Sequence, residues 1–362
     1  MADLNKARED INAIDKQMAE LFIKRMDAVK IVAEYKKEHG VPVTDAAREA
    51  EVIKRNSDSI ADDDYRSYYV SFLQNNMELS KAFQHRLLDG MRVAYSGVTG
   101  AFANIVAKRV FPDGTAVGYG DFAAAYEAVV SGECDCALLP IENSFNGDVN
   151  KVLDLAFFGN LYITGIYEAE IVQNLLGNSG ATLSSIKTVI SHPQALGQCA
   201  AYIEKYGFKT EEAVNTAVAA KYVAESGRTD IAAIASEEAA EEFSLTKIEG
   251  HINQNSNNTT RFAVFSRAER VKSVTDNHFV MLFTVKNAAG SLGRAVSVIG
   301  EHGFNLRALK SRPTKELMWD YYFYAEGEGS LATAQGEKML KELCDCCNSV
   351  KVLGSFEKEI KV

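Results

Sequence analysis

Arg25 and Lys36 are the first residues whose placement asks for a chemical explanation. Apolar positions run Leu4, Ala7, Ile11, Ile14, Met18, Leu21, then Ala28, Val32 and Tyr35, in alternating three- and four-residue steps. That is the period of one long helix. Arg25 falls on the seam between Leu21 and Ala28, where an aliphatic residue is expected. A cation there calls for a buried anion, from a neighbouring helix or from a ligand. Lys36 lies eleven residues farther on, within about 20° of the same face and about 16 Å along the axis. Two long cationic side chains can therefore converge on one small dianion. Arg8 also faces inward, but seventeen residues separate it from Arg25, about 25 Å along the axis. It reaches an equivalent site only on an antiparallel partner.

A second set of polar residues stands at the ends of short apolar runs: Pro140-Ile141-Glu142-Asn143-Ser144, Ser191-His192-Pro193-Gln194-Ala195-Leu196-Gly197-Gln198, and Asn258-Thr259-Thr260-Arg261-Phe262. Strand ends are where α/β clefts place ligand groups. Gly118-Tyr119-Gly120-Asp121-Phe122-Ala123 mimics a dinucleotide fingerprint, but its third glycine is Ala123 and the run before it is short. Cys344, Cys346 and Cys347, like Cys134 and Cys136, have no His nearby in sequence to complete a metal site and read as small buried hydrophobes.

These residues need three kinds of scaffold. The first helix runs from Leu4 to about Glu38 and is stopped by His39-Gly40-Val41-Pro42. Thr44 or Asp45 caps a second helix ending near Asn56, and Asp62-Asp63-Asp64 opens a third, reaching about Leu88. After Asp89-Gly90 the period changes. Strands Arg92–Tyr95, Cys136–Ile141, Thr188–Ser191, Ile231–Ala235 and Arg261–Ser266 alternate with helices Ala101–Val110, Phe122–Ser131, Gln194–Tyr206 and Thr216–Glu225, the order of an α/β fold. The chain forms two such lobes, crosses back near Gly250 to Phe262, and leaves a cleft between them. Arg267 to Thr275 reads as a polar linker. Beyond it, strand His278–Val285, helix Leu292–His302, strands Leu306–Ser311 and Trp319–Glu326, helix Leu331–Cys346 and strand Val350–Phe356 give a β-α-β-β-α-β order, ferredoxin-like in pattern.

Composition sets the outer limits. The 362 residues suit two or three domains. With 47% hydrophobic and 24% charged residues, the chain is ordinary globular material. A net charge of -10 argues against a general nucleic-acid surface. No apolar run approaches a membrane span, and six cysteines in no regular framework fit a reducing compartment.

Ala7-Arg8-Glu9-Asp10-Ile11, Arg25, Lys36, Asp45-Ala46-Ala47-Arg48-Glu49 and Ser80-Lys81-Ala82-Phe83-Gln84 resemble the all-helical chorismate mutase family. The resemblance implies that Arg8 of a partner chain, Arg25 and Arg48 hold the substrate dianion. Lys36 and Gln84 would address its ether oxygen, Glu49 and Asp45 its hydroxyl side, and Ser80 a carboxylate. A Claisen rearrangement needs no nucleophile; it needs a compact conformer and fixed donors where the breaking C–O bond gathers negative charge.

The Glu-Asn-Ser, Ser-His-Pro-Gln-Ala and Thr-Arg-Phe motifs, in a match from about Met91 to Ser266, resemble prephenate dehydratase. Ala101 stands where the usual turn has Ser or Thr. The resemblance assigns Thr260 as donor to the departing hydroxyl. A threonine is too weak an acid to act alone, so Glu142 or water shares that role. Asn143, Ser191 and Gln198 would orient the substrate, Phe262 completes the binding set, Arg261 is either a carboxylate ligand or a brace, and His192 is structural. Asn287, Gly290-Ser291-Leu292 and Lys310-Ser311-Arg312-Pro313 resemble the ACT regulatory domain. Asn287, Gly290, Ser291, Leu292, Ser311 and Arg312 become the expected effector contacts and L-phenylalanine the expected effector. Ser291 and Lys310 depart from the usual Gly-Ala-Leu and Glu-Ser-Arg-Pro.

The expectation is a bifunctional chorismate mutase/prephenate dehydratase, multidomain, with an all-α mutase bundle over 1–89, a two-lobed α/β dehydratase over 90–268 and a ferredoxin-like α+β ACT domain over 277–362. It is cytoplasmic and a homodimer or higher homo-oligomer, acts on chorismate and prephenate, and calls for no cofactor, metal, nucleic acid or membrane. Two rivals are a mutase fused to an NAD-dependent prephenate dehydrogenase, which needs Gly118 to open a nucleotide turn, and a non-catalytic two-lobed ligand-binding module.

Overall fold

A computed structural model describes residues 3–254, 258–314 and 321–362. The chain forms two compact units that divide between Arg92 and Val93. The first is helical: α1 Leu4–His39, α2 Ala46–Ser57 and α3 Asp63–Asp89. Asp3, Asp45 and Asp62 cap the three helices by accepting backbone N–H bonds, and Gly40 ends α1 in the left-handed conformation at φ 63°, where a residue without Cβ carries no penalty. The long α3 packs against both α1 and α2. On α1 only Val29 and Ala33 are buried, while Leu4, Ile11, Ile14, Met18 and Leu21 stay between 43% and 63% exposed. An apolar seam of that length left in water is the mark of an interface.

The second unit begins with a lobe of β1 Arg92–Ser96, α4 Phe102–Val110, β2 Thr115–Tyr119, α5 Phe122–Val130, β3 Cys136–Asn143, β4 Gly147–Asp148, α6 Asn150–Phe158 and β5 Tyr162–Glu170. A second lobe follows: β6 Asn174–Gly177, β7 Thr188–Ser191, α7 Pro193–Gln198, α8 Ala200–Tyr206, β8 Lys209–Glu212, α9 Thr216–Ser226, β9 Ile231–Ala235, α10 Glu237–Glu242 and β10 Thr246–Glu249. The chain then returns to the first lobe as β11 Thr259–Ser266 and closes with β12 His278–Thr284, α11 Ser291–Glu301, β13 Asn305–Pro313, β14 Tyr321–Glu328, α12 Ala334–Cys346, β15 Ser349–Phe356 and β16 Ile360–Lys361.

Among the described residues three sheets form, ordered β16-β5-β11-β3-β1-β2 with β4 beside β3, then β10-β6-β9-β7-β8, then β13-β14-β12-β15. The expected helix over Gln194–Tyr206 is two, α7 and α8, meeting at Cys199. The expected strand start at Trp319 lies outside the described residues.

The C-terminal βαββαβ module is no appended bead. Along β12, Phe279, Met281 and Phe283 pack under α11 and α12, whereas Val280 and Leu282 join Leu139, Ile163 and Phe265 in the core of the first lobe. A strand buried on both faces must be apolar at every position, and Phe279 to Phe283 is such a run. β15 crosses β5 so closely that a Cβ on Gly354 would stand 1.9 Å from the carbonyl oxygen of Ile163. The expected linker is likewise pinned. Arg267 donates to the carbonyls of Val129 and Cys134, and Arg270 to Asp276 and the carbonyl of Ser355. Gly354→Ala is expected to destabilise the second unit by about 1–3 kcal/mol, since a backbone carbonyl cannot step aside. Denaturant melts of the full chain check this, and an unchanged midpoint would disprove the close crossing.

Candidate active sites

In the helical unit, polar side chains gather on α3 around Ser80, Lys81 and Gln84. Arg25 of α1 donates to the Ser80 hydroxyl and, at 3.3 Å, to the carbonyl of Asn76. From α2, Glu49 accepts from Lys81 at 3.2 Å. The Lys81 ammonium is held above its usual pKa by its hydrogen bond to Glu78, against partial desolvation and with help from Glu49. Lys36 reaches the carbonyl of Val43 at 2.6 Å. Gln84 is buried; its amide nitrogen donates to the carbonyl of Ser80 at 3.3 Å while Oε1 has no partner. A buried orphan acceptor costs roughly 1–3 kcal/mol, and a ligand donor removes that cost. Asp45 is spent as the cap of α2, and Arg48 pairs with Glu51 at 2.6 Å on the exposed face. Arg8 lies in the exposed part of α1, away from Arg25 as its spacing requires.

In the second unit the two lobes face each other across a cleft of about 660 Å³. Asn143, the last residue of β3, and Thr260 of β11 are register partners and both line it. The amide nitrogen of Asn143 donates to Thr260 Oγ1 at 2.9 Å and to Asn258 Oδ1 at 3.0 Å, while its oxygen accepts the backbone N–H groups of Phe145 and Asn146. Asn143 is therefore fixed, and a Thr260 oxygen that accepts from it keeps its own proton to donate elsewhere. Phe262 and Pro140 continue the wall, and Gln198 and His192 face them from the second lobe. His192 caps α7 by accepting from Gln194 N at 3.2 Å, a structural use.

Strand alternation redistributes the remaining expected residues. Glu142 and Arg261 are the next register pair after Asn143 and Thr260, so they project from the opposite face of the sheet. Neither lines the cleft. Arg261 donates to Glu142 at 2.8 Å, to both oxygens of Glu326 at 3.2 and 2.6 Å, and to Glu359. Burial opposes its charge most strongly, yet these carboxylates together hold its pKa above the ordinary value. Glu142 also meets Lys310 at 3.2 Å. Burial is the largest influence on its carboxyl and pushes the pKa up, but Arg261 and Lys310 outweigh it and hold the group below its usual range. An ionised carboxylate behind the sheet cannot hand a proton to a ligand in front of it, which corrects the expected sharing of the acid role. Arg261, engaged with three carboxylates, is not among the residues that line the cleft. Ser191 is fully buried and gives its hydroxyl to the carbonyl of Ile234 at 2.6 Å, so it orients a strand, not a substrate.

Two cleft residues escape sequence reasoning. Gln173, in the crossover between lobes, donates to Gln198 Oε1 at 3.2 Å and leaves its own Oε1 buried without a partner. Lys151, in the first turn of α6, is a cation facing the cleft. The first turns of α4 and α6, whose N-cap residues Ala101 and Val149 offer no side-chain acceptor, line the same cleft. Uncapped helix starts beside a lysine favour anions. Lys151 follows Asn150 in a short polar stretch without a motif, and only the folded proximity of α4 and α6 marks it.

The dinucleotide reading fails on geometry. Gly118 lies inside β2, and a Cβ there would stand 2.6 Å from the carbonyl oxygen of Gly97; the glycine serves close packing, not a phosphate turn. Among the described residues no group of three or more His, Cys, Asp or Glu is placed to hold a metal. In the C-terminal module, Gly290 starts α11 at φ 84° without a side-chain cap, with Ser291 and Leu292 in its first turn. Asn287 lies in the exposed loop before it and Ser311 is exposed on β13. Arg312 is instead engaged with Asp154 at 2.7 and 3.0 Å and with Asn150, and Lys310 with Asp148 at 2.6 Å.

A helical unit with a cationic seam, followed by a two-lobed α/β cleft lined by hydrogen-bond donors, defines a multidomain enzyme working on small anions. The sequence model of chorismate mutase type II matches residues 7–85, and that of prephenate dehydratase matches residues 93–270. The bifunctional chorismate mutase/prephenate dehydratase of Escherichia coli (strain K12) is 30% identical over 97% of this chain and 95% of its own length. Arogenate dehydratase/prephenate dehydratase 2 of Arabidopsis thaliana is 34% identical over 74% of this chain and 72% of its own. The crystal structure of the Arthrobacter aurescens prephenate dehydratase in complex with L-Phe matches with a TM-score of 0.69 at 25% identity, over 74% of this chain and 90% of that one. The chain belongs to the bifunctional chorismate mutase/prephenate dehydratase family.

The ionic cluster around Arg261 has a pH signature. Burial, the first influence on both Glu142 and Glu359, raises them, yet Arg261 and the neighbouring cations hold both below the usual value of 4.5. The stability they contribute is full above that value and is lost as pH falls through the depressed folded values. The melting temperature is expected to hold between about pH 7 and pH 5.5 and to drop steeply below about 4.5, less steeply in Arg261→Met protein. Equal slopes in the two proteins would rule out the cluster as the source.

Proposed function

We propose that the two activities of the family reside on separate units of this chain. The helical unit rearranges chorismate to prephenate, and the cleft converts prephenate to phenylpyruvate. One observation carries the second assignment: the hydrogen bond from Asn143 to Thr260 Oγ1, 2.9 Å long and buried in the cleft. As the carboxylate leaves as carbon dioxide, its C–C electron pair enters the ring and the ring C–O bond breaks. The departing oxygen needs a proton to leave as water. Thr260, its oxygen already accepting from Asn143, presents its O–H to that oxygen, and cleft water supplies the proton in place of Glu142. Lys151 with the first turns of α4 and α6 takes the substrate carboxylates, and Gln173 and Gln198 meet its other polar groups.

In the helical unit, Arg25 and Arg48 hold the chorismate dianion together with Arg8 of a second copy. Lys36 and Gln84 donate to the ether oxygen as it gains charge. The exposed seam of α1 supports the second copy, since covering each large apolar side chain is worth about 1.5–3 kcal/mol. The C-terminal module is an ACT domain taking L-phenylalanine at the Asn287 to Leu292 turn and Ser311, and the unpaired outer edge of β13 is open to the same strand of a partner. Six free cysteines suit the reducing cytoplasm.

Lys36→Ala is expected to cut chorismate rearrangement by at least about 100-fold, as loss of a preorganised donor does, with prephenate turnover intact; Thr260→Ala should do the reverse. A folded single mutant lacking both activities would refute the assignment. Mixing Lys36→Ala with Arg8→Ala protein should restore part of the mutase activity, because a heterodimer assembles one intact site; no recovery after verified subunit exchange would sink the shared site. L-phenylalanine is expected to slow the dehydratase at low prephenate, with an effect of five- to 150-fold at most for a coupling of about 1–3 kcal/mol. Ser311→Glu should abolish that response and leave the uninhibited rate unchanged; inhibition of equal strength in this variant would place the effector elsewhere.

A further inference from the structure

We infer that the C-terminal module supplies positioning residues for the dehydration, with Glu326, Glu359 and Lys310 setting the geometry of the Asn143–Thr260 pair from behind the sheet. The inference rests on the reading that Thr260 acts in the cleft. Thr260 and Arg261 are consecutive, about 3.8 Å apart, in a strand paired with β3 on one side and β5 on the other, so a shift of Arg261 is carried through the ladder to the direction in which Thr260 points. The same holds for Glu142 and Asn143.

Arg261 is pulled by groups far along the chain. Its guanidinium forks onto both oxygens of Glu326, which is itself held at 2.7 Å by the fully buried Tyr324 hydroxyl. The Nη2 of that fork also meets Glu359, which Arg307 contacts at 3.3 Å. Glu142 is pulled by Lys310, which at the same time holds Asp148, a residue of the cleft wall, at 2.6 Å. Both strands that carry the reacting pair are thus gripped from the rear by β13, β14 and the segment before β16.

Energy alone does not explain this arrangement. Replacing a buried ion network by apolar side chains is often neutral or stabilising, and the module already shares an apolar core with the first lobe. A two-pronged Arg–carboxylate pair adds what apolar contact lacks, a fixed direction.

The test is steady-state kinetics on the full chain. Glu326→Gln and Lys310→Met are expected to lower kcat for prephenate about tenfold or more while KM stays within about twofold, because misplacement of a reacting group by a fraction of an ångström is felt in the transition state. Lys310→Arg should keep most of the rate, and chorismate rearrangement should be unaffected in all. Normal kcat in both variants overturns the inference. So does a loss that merely tracks the folded fraction seen by near-ultraviolet circular dichroism. Should Glu326→Gln fail to fold, Glu359→Gln, altered outside the module's core, decides on the same readouts. Thr260→Ala runs alongside. If it keeps prephenate turnover, the reading of the cleft falls and the inference with it; if it loses turnover while Glu326→Gln and Lys310→Met are both normal, the inference alone falls.

Discussion

Arg261 is a cation almost out of reach of water, surrounded by the carboxylates of Glu142, Glu326 and Glu359. A charge so placed must be matched or lost; the carboxylates that match it, through Nη1 and Nη2, come from β3, from β14 and from the segment joining β15 to β16, while Nε is buried with no hydrogen-bond partner among the described residues. The sheet of the first lobe, the C-terminal module and the wall of the cleft are thereby parts of one object. The apolar core says the same, since residues of β12 and β14 fill it together with residues of β3, β5 and α6.

The two chemistries ask different things of their scaffolds. A pericyclic rearrangement is served by donors held on a stiff helical frame, and the frame here is long, capped at each start by an aspartate and stopped by Gly40. Expulsion of an oxygen from a ring asks for one donor aimed well. The β3–β11 strand pair has two faces that do different work, hydroxyl and amide to the front, ion pairs to the rear.

The helical unit was largely legible because its signals are local: the three-four spacing, the aspartate caps and the glycine stop all act within a few residues. The strands bearing Asn143 and Thr260 were legible as well, and so was the role of those residues as neighbours of a cleft. Glu142 was misjudged because alternation says that it opposes Asn143 without saying which face looks into the cleft; that depends on where the second lobe closes. Gln173 and Lys151 carry no motif and acquire meaning only when a crossover and two helix starts meet. The apolar run Phe279 to Phe283 did hold a readable signal. Five apolar residues in succession leave a strand no polar face, so it had to be covered twice, and the separation of the C-terminal module by a linker at Arg267 to Thr275 could not be complete.

The position of β16 bears on how the protein is made. Ile360 and Lys361 form the outermost strand beside β5, yet they follow every other element of the unit along the chain. While the second unit is being synthesised, the edge of β5 and the face of the first-lobe sheet that Val280, Leu282, Tyr322 and Leu353 will cover remain open. The helical unit, whose contacts are local and already emerged, can fold during that interval, whereas the dehydratase sheet cannot be completed until β16 has been made. Growing chains therefore display unpaired strand edge and bare apolar sheet together, the surfaces on which newly made proteins aggregate.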